Sequence, residues 1–407
     1  MPLEKMEAVV TNELQDLEKK GTKKGEELVI TGVEETKTDN APRYHIQGED
    51  GVFLKMNSNS YLGLHLDDEV VQAEEKASEI YGSGPGAVRF IHGTYKPHVD
   101  LESKLADFHG KEGCVIYSSA YATMTGLIQP LTSTDTLILS DELNHNCIIN
   151  GIRMAKPKGK DIYTHLDMSD LEQKLADAVN DYSRVMIITD GVFSMRGDYP
   201  DLQTLVSLAE KYDPKFGDGV FTIMDDSHGV GAYGKTGRGT CEITGENGVD
   251  LIVATMGKAL GVNGGYVVTK EKITQYLRET SPFYIYSNPI TAPEASAAIK
   301  SLQILDSEKG RNMLAHLREM TNYFEDGLKN LGQEVIEGPH PVVPLMVRDT
   351  KKTRDLVEYL KKNKVLATAI VYPVVPQGDE SIRFQVCANH TTGDLDYVLE
   401  TIESFLR

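Results

Sequence analysis

From about residue 66 onward the chain alternates two hydrophobic rhythms. Short apolar runs, Gly113–Tyr117, Thr136–Ser140, Arg184–Thr189, Val220–Met224 and Leu251–Ala254, are separated by stretches whose apolar residues recur every three or four positions. The runs read as strands buried on both faces, and the stretches between them as amphipathic helices. Helices are expected over Asp67–Tyr81, Val99–His109, the segment after Tyr117 through Leu127, Asn146–Ala155 and Leu202–Tyr212. This alternation predicts an α/β domain with a mostly parallel sheet covered by helices. Ahead of it, residues 1–20 read as a helix with apolar positions at Met6, Val9, Val10, Leu14 and Leu17, and Tyr44–Leu54 as strand-like around a turn at Gly48–Gly51. Behind it, a long helical stretch over 291–332 leads into strands Val342–Val347, Val365–Val371 and Ile382–Cys387, interleaved with helices Thr353–Asn363 and Thr392–Leu406. The expected division is an N-terminal segment 1–56, a large α/β domain 57–290 and a smaller α+β domain 291–407.

Charge narrows the partners. The 407 residues carry 42 Lys+Arg against 61 Asp+Glu, a net charge of −19. Such a surface repels phosphate at long range, which argues against nucleic acid and anionic membrane faces. A phosphate-bearing ligand must then be held by a local site. No apolar run approaches the roughly 18 residues of a membrane helix, and the charged N-terminus has no apolar signal core. The expectation is a cytoplasmic protein. The four cysteines, Cys114, Cys147, Cys241 and Cys387, form no C-x-x-C pair, which speaks against a zinc ribbon or a disulfide framework. No metal site is expected.

Three glycine loops invite nucleotide readings. Gly229, Gly234, Lys235 and Thr236 match G-x-x-x-x-G-K-[ST], and Gly229, Gly231 and Gly234 match G-x-G-x-x-G. Both motifs require a strand running directly into a helix whose N-terminus faces phosphate. Here Asp225, Asp226, Ser227 and His228 intervene, and Gly237 and Gly239 follow where a helix would begin. Gly82–Ala87 fits G-x-G-x-x-A but follows a helix. Plain loops, or loops with another task, are the better reading, with nucleotide binding through 229–236 kept as an alternative.

The chemistry gathers elsewhere. Lys258 follows the buried strand Leu251–Ala254 among apolar residues and glycines. Desolvation there depresses an amine pKa, as a Schiff-base lysine requires. Asp225 ends another apolar strand, at the sheet edge where doubly wound folds bind ligands. A carboxylate there could keep a pyridinium nitrogen protonated and so make the ring an electron sink. His228 could meet the phenolic oxygen of that ring. Asp190 to Ser194 and Asn144-His145 follow further strands, and Tyr117–Tyr121 passes from strand to helix, where backbone N–H groups suit a phosphate.

These stretches, with Asn59–Leu64, Arg89–Thr94, Ser140–His145, Thr189–Met195, Asp225–His228, Gly237–Gly239, Gly257–Gly261 and Ile382–Gln385, resemble the α-oxoamine synthases. That family uses pyridoxal 5'-phosphate on the fold type I transferase fold. The resemblance runs from about Asn57 to the C-terminus. It implies that Lys258 carries the cofactor, that Asp225 pairs with the pyridine nitrogen, that His228 and Ser194 contact the ring oxygen, and that His145 stacks on the ring. Ala120, Tyr121 and Thr255 would hold the phosphate. Tyr286 and Ser287 match the segment that reaches the neighbouring subunit's cofactor, which implies a homodimer with shared active sites. Asn59 and Arg383 match the positions that hold the amino-acid carboxylate, for which a guanidinium fork is suited.

The implied reaction joins an amino acid to an acyl-CoA, or an acyl-carrier thioester, giving an α-amino ketone with or without decarboxylation. Within this resemblance, Arg89-Phe90-Ile91, Tyr117–Ser119, Asp141–Ile149 and Tyr372–Pro376 look most like the members that acylate glycine, which implies glycine and a short acyl group, with alanine or serine and a longer chain as neighbouring choices. Arg196, Val262, Asn263, Cys387 and Asn389 depart from the family pattern near the lysine and the acyl group, so the substrates stay open. An aminotransferase is the second enzyme reading.

Overall fold

The computed structural model describes residues 2–23, 26–34, 40–372 and 374–407. Pro373, inside the Tyr372–Pro376 stretch, lies outside the described residues. Seven strands form the central sheet, in the spatial order Gly113–Tyr117, Gly265–Thr269, Leu251–Thr255, Val220–Asp225, Arg184–Asp190, Thr136–Asp141 and Gly159–Tyr163. All neighbours are parallel except Gly265–Thr269, which runs antiparallel to both strands it touches. The strands Thr136–Asp141 and Gly113–Tyr117 are buried at every position. That explains why their sequences are apolar without alternation: helices cover both faces of the sheet. This is the expected fold type I α/β architecture.

The parallel strands all end on one edge. Tyr117, Asp141, Tyr163, Asp190, Asp225 and Thr255 are their last residues. Each is followed by a turn or a helix start, so polar side chains from distant parts of the sequence meet there.

Among the described residues two smaller sheets accompany the central sheet. Strands Ile30–Glu34, Arg43–Ile46 and Val52–Lys55 form a meander whose last strand pairs in parallel with Val365–Leu366. The N-terminal strands thereby share a sheet with a C-terminal one. Asp394 reinforces that join by accepting from Ala41 N–H and from Arg43. The third sheet, Glu334–Val335, Val342–Met346, Ser381–Gln385 and Thr368–Ile370, is antiparallel and carries Arg383. One hydrophobic cluster contains Ala254 of the central sheet, Leu302 and Phe384, so the core is continuous between the large sheet and the C-terminal one.

Several expected elements change. The helical stretch 291–332 is two helices, Ala292–Leu305 and Glu308–Asn330. Ser307 breaks it by capping the second helix through Gly310 N–H. The stretch 365–371 is likewise two short strands, Val365–Leu366 and Thr368–Ile370, that join different sheets. Strand Gly265–Thr269 fills a stretch that the sequence left unassigned after its Gly264-Gly265 pair. The basic run Lys156–Lys160 supplies the start of edge strand Gly159–Tyr163. The N-terminal helix is present over Glu4–Lys19, but its apolar positions Met6, Val9, Val10, Leu14 and Leu17 are all exposed. Among the described residues no helix is long and apolar enough to cross a membrane, and no cluster of His, Cys, Asp and Glu could hold a metal.

Candidate active site

A cavity of about 260 Å³ opens at the carboxyl edge of the parallel strands, with Lys258, Asp225, His228 and His145 in its wall. Ala120, Tyr121, Ser194 and Thr255 line it as well. The sequence placed these eight residues on five different strand ends. The structure brings all of them to one space.

Lys258 sits in the turn after strand Leu251–Thr255. Burial pushes its amine down to about 8, and the nearby Asp225 carboxylate opposes that shift. Thr255 shapes the turn: its hydroxyl donates to the Gly264 carbonyl at 3.1 Å and accepts from Gly257 N–H at 3.0 Å. Asp225 is buried. Its Oδ1 accepts the backbone N–H of Ser227 at 3.0 Å, and its Oδ2 faces the Cys147 thiol at 3.5 Å. His145 caps helix Asn146–Ala155, its Nδ1 accepting from Cys147 N–H at 3.3 Å and lying 3.0 Å from the Cys147 sulfur. Burial lowers the pKa of His145, and of His228 far more. Both imidazoles are therefore neutral at pH 7.

The helix Ala120–Leu131 begins at the cavity. Ser119 caps it through Ala122 N–H at 3.1 Å, and the N–H groups of Ala120 and Tyr121 belong to the first turn, which has no intrahelical acceptors. The helix start lies so close to the antiparallel strand that a Cβ at Gly265 would overlap the backbone of Ser119 and Ala120. Glycine at 265 is what permits this approach.

Arg383 and Asn59 adjoin the cavity without lining it. Arg383 donates to the Ser194 carbonyl at 2.9 Å and to Asn59 Oδ1 at 3.2 Å. Tyr286 and Ser287 are not brought to this chain's own cavity, and Tyr286 is 78% exposed.

Sequence reasoning missed several wall residues. Cys147 lies two positions after His145, which was a usable signal. Asp190 pairs in register with Asp225 on the neighbouring strand and accepts His145 N–H at 3.0 Å. Its Oδ1, and the Oγ of Ser227, are buried polar atoms without a partner among the described residues.

The glycine loop 229–239 has a structural task. Glu242 accepts from the backbone N–H groups of Thr236 and Arg238, each at 3.0 Å. Thr240 donates to Asp226 from both its N–H and its hydroxyl. A Cβ at Gly229 or Gly239 would overlap the Asp226 carboxylate. The loop wraps two carboxylates of its own chain, and the N–H groups of residues 229–233, Thr236 and Arg238 are already bonded. Only the five-residue helix Thr240–Thr244 follows. This geometry removes the support for a nucleotide-binding reading.

Comparison with known proteins gives the family. The chain matches the aminotransferase class I and II family over residues 52–402. It is 37% identical over 373 residues to 8-amino-7-oxononanoate synthase 1 of Bacillus velezensis, covering 91% of this chain and 92% of that protein. It is 35% identical over 401 residues to the mitochondrial 2-amino-3-ketobutyrate coenzyme A ligase of Homo sapiens, covering 98% and 91%. Its fold matches Sphingomonas wittichii serine palmitoyltransferase with a TM-score of 0.87 at 24% identity, over 99% of this chain and 97% of that one. The chain belongs to the aminotransferase class I and II family and, within it, to the α-oxoamine synthases. It is a pyridoxal-phosphate-dependent C-acyltransferase.

Proposed function

We propose that the cavity holds pyridoxal phosphate, and that the enzyme joins glycine to a short-chain acyl-CoA, releasing CoA and an α-amino ketone. The observation that carries this is the convergence of Lys258, Asp225, His228 and His145 on one small cavity. Bound there, the cofactor supplies an electron sink for a carbanion at the amino acid's Cα.

The chain's own residues supply the rest. Lys258 attaches the cofactor and, with a pKa near 8, is matched to moving the Cα proton near neutral pH. Asp225, fixed by Ser227 N–H, would hold a proton on the ring nitrogen. His145 would cover the ring, and His228 and Ser194 would meet its oxygen. The N–H groups of Ala120 and Tyr121, with Thr255, would hold the phosphate. Arg383, with Asn59, orients the substrate carboxylate. The exposed Tyr286 and its neighbour Ser287 complete the site of a second subunit in a homodimer.

The 35% identity to a 2-amino-3-ketobutyrate coenzyme A ligase supports the glycine reading. The 37% identity to an 8-amino-7-oxononanoate synthase favours a second reading, with a larger amino acid and a longer acyl group. A matrix of glycine, alanine and serine against acetyl-, longer acyl-CoA and acyl-carrier thioesters, scored by free thiol release, separates them. Glycine with acetyl-CoA should give the largest kcat/KM. A maximum at alanine with a long acyl chain would replace that assignment, and amino-group exchange without thiol release would point to an aminotransferase.

A further inference from the structure

Tyr61 lies in the Asn59–Leu64 stretch, and nothing above gives it a task. It is fully buried. Its hydroxyl lies 2.7 Å from His228 Nδ1, a residue 167 positions away. Its backbone has φ of 33°, a left-handed conformation unusual for a bulky side chain. Strain of this kind persists only where the surroundings impose it, and it gathers at functional sites. Here the Tyr61 carbonyl is held by Ala388 N–H at 2.6 Å, from the far end of the chain.

We propose that Tyr61 is a positioning residue that fixes His228 as its Nε2–H tautomer, so that the imidazole presents its proton to the cavity. This rests on the reading that His228 meets the cofactor's ring oxygen.

The argument is one of hydrogen-bond satisfaction. A buried hydroxyl needs an acceptor. Among the described residues the Tyr61 hydroxyl has one partner, His228 Nδ1. Burial keeps the phenol protonated, and burial with the nearby Lys258 keeps the imidazole neutral. A neutral imidazole has one N–H and one acceptor nitrogen. If Nδ1 accepts from Tyr61, the ring proton is on Nε2. His228 is in the cavity wall, so that nitrogen is the one left to serve the site.

A second histidine steadies the arrangement. His340 Nδ1 accepts Val342 N–H at 3.0 Å, which places its own proton on Nε2. That nitrogen donates to the His228 carbonyl at 2.8 Å. The His340 ring also packs edge-on against Tyr61, with centroids 5.3 Å apart. The C-terminal sheet thus anchors the backbone of His228 while Tyr61 sets its ring.

The test is histidine 15N NMR on the full-length protein, loaded with pyridoxal phosphate and again without it. His228→Gln identifies the His228 signals. Wild type should show a protonated Nε2 and a hydrogen-bonded, unprotonated Nδ1 in both forms. Tyr61→Phe keeps the ring but removes the donor. It should yield a mixture of tautomers, shift the visible band of the bound cofactor, and lower kcat roughly 3- to 10-fold with the amino-acid KM unchanged. A proton on Nδ1 in wild type, or an unaltered tautomer in Tyr61→Phe, would overturn the proposal. A visible band unmoved by His228→Gln would instead overturn the placing of His228 against the ring oxygen.

Discussion

Lys258 is under two opposing influences: burial lowers its pKa to about 8, and the Asp225 carboxylate resists. Between pH 8 and the ordinary 10.5, the unfolded chain holds a proton on this amine that the folded cofactor-free chain does not. Stability therefore rises with pH across that window, and below pH 8 the buried ammonium is a liability. Lys258→Met should abolish activity yet stabilise the cofactor-free protein near pH 7, by on the order of 1–3 kcal/mol. Urea unfolding checks this, and an unchanged midpoint would show the amine to be well solvated. Uptake of pyridoxal phosphate, followed by absorbance, should quicken up to about pH 8 and then level off, and borohydride should fix the label on the Lys258 peptide alone. Asp225→Ala should still take up cofactor but lose exchange of the glycine Cα proton into solvent, read by NMR. Arg383→Ala removes charge-assisted bonds worth ~1.5–3 kcal/mol, so amino-acid affinity should fall roughly 10- to 150-fold. A spectral titration with glycine measures it, and an unchanged affinity would remove Arg383 from the site.

At the scale of elements, the glycine loop is held by carboxylates. Glu242→Ala deprives the N–H groups of Thr236 and Arg238 of their acceptor. We expect a loss of about 2–4 kcal/mol in urea unfolding and no gain of stability from added ATP. A rise in melting temperature with ATP would reopen the nucleotide reading. This loop also marks where the sequence was readable and where it was not. The strands Thr136–Asp141, Arg184–Asp190 and Val220–Asp225 announced themselves, because burial on both faces demands unbroken apolar runs. Lys258, Asp225, His145 and His228 were readable because each closes such a run or follows it closely. The antiparallel strand Gly265–Thr269 was not, since Gly264 and Gly265 read as a loop, while Gly265 serves the close approach of a helix start. The break at Ser307 carried only a weak signal, because a cap without proline or an adjacent glycine looks like helix surface. The bond from Tyr61 to His228 spans 167 positions, and no spacing rule reaches so far.

Across the whole molecule, the placement of Tyr286 and Ser287 away from their own cavity leads to a complementation experiment. If they complete a neighbour's site, a Lys258→Ala variant and a Tyr286→Ala variant, each inactive alone, should regain activity when unfolded together and refolded as hybrids. Each hybrid would contain one site with all residues intact. Mixtures no more active than their parents would place every working residue within one chain. The sheet topology has a consequence of another kind. Strand Gly113–Tyr117 has one neighbour in the sheet, Gly265–Thr269, with Gly113 opposite Thr269 and Tyr117 opposite Gly265. Chains are made from the N-terminus at about 5–20 residues per second. The first strand of the sheet to leave the ribosome therefore waits, with both edges bare, until residue 269 has emerged. The helix start at Ala120 rests against Gly265 and waits with it. Cofactor loading thus belongs to the nearly finished chain, and an apolar strand without a partner is the hazard that synthesis must pass through first.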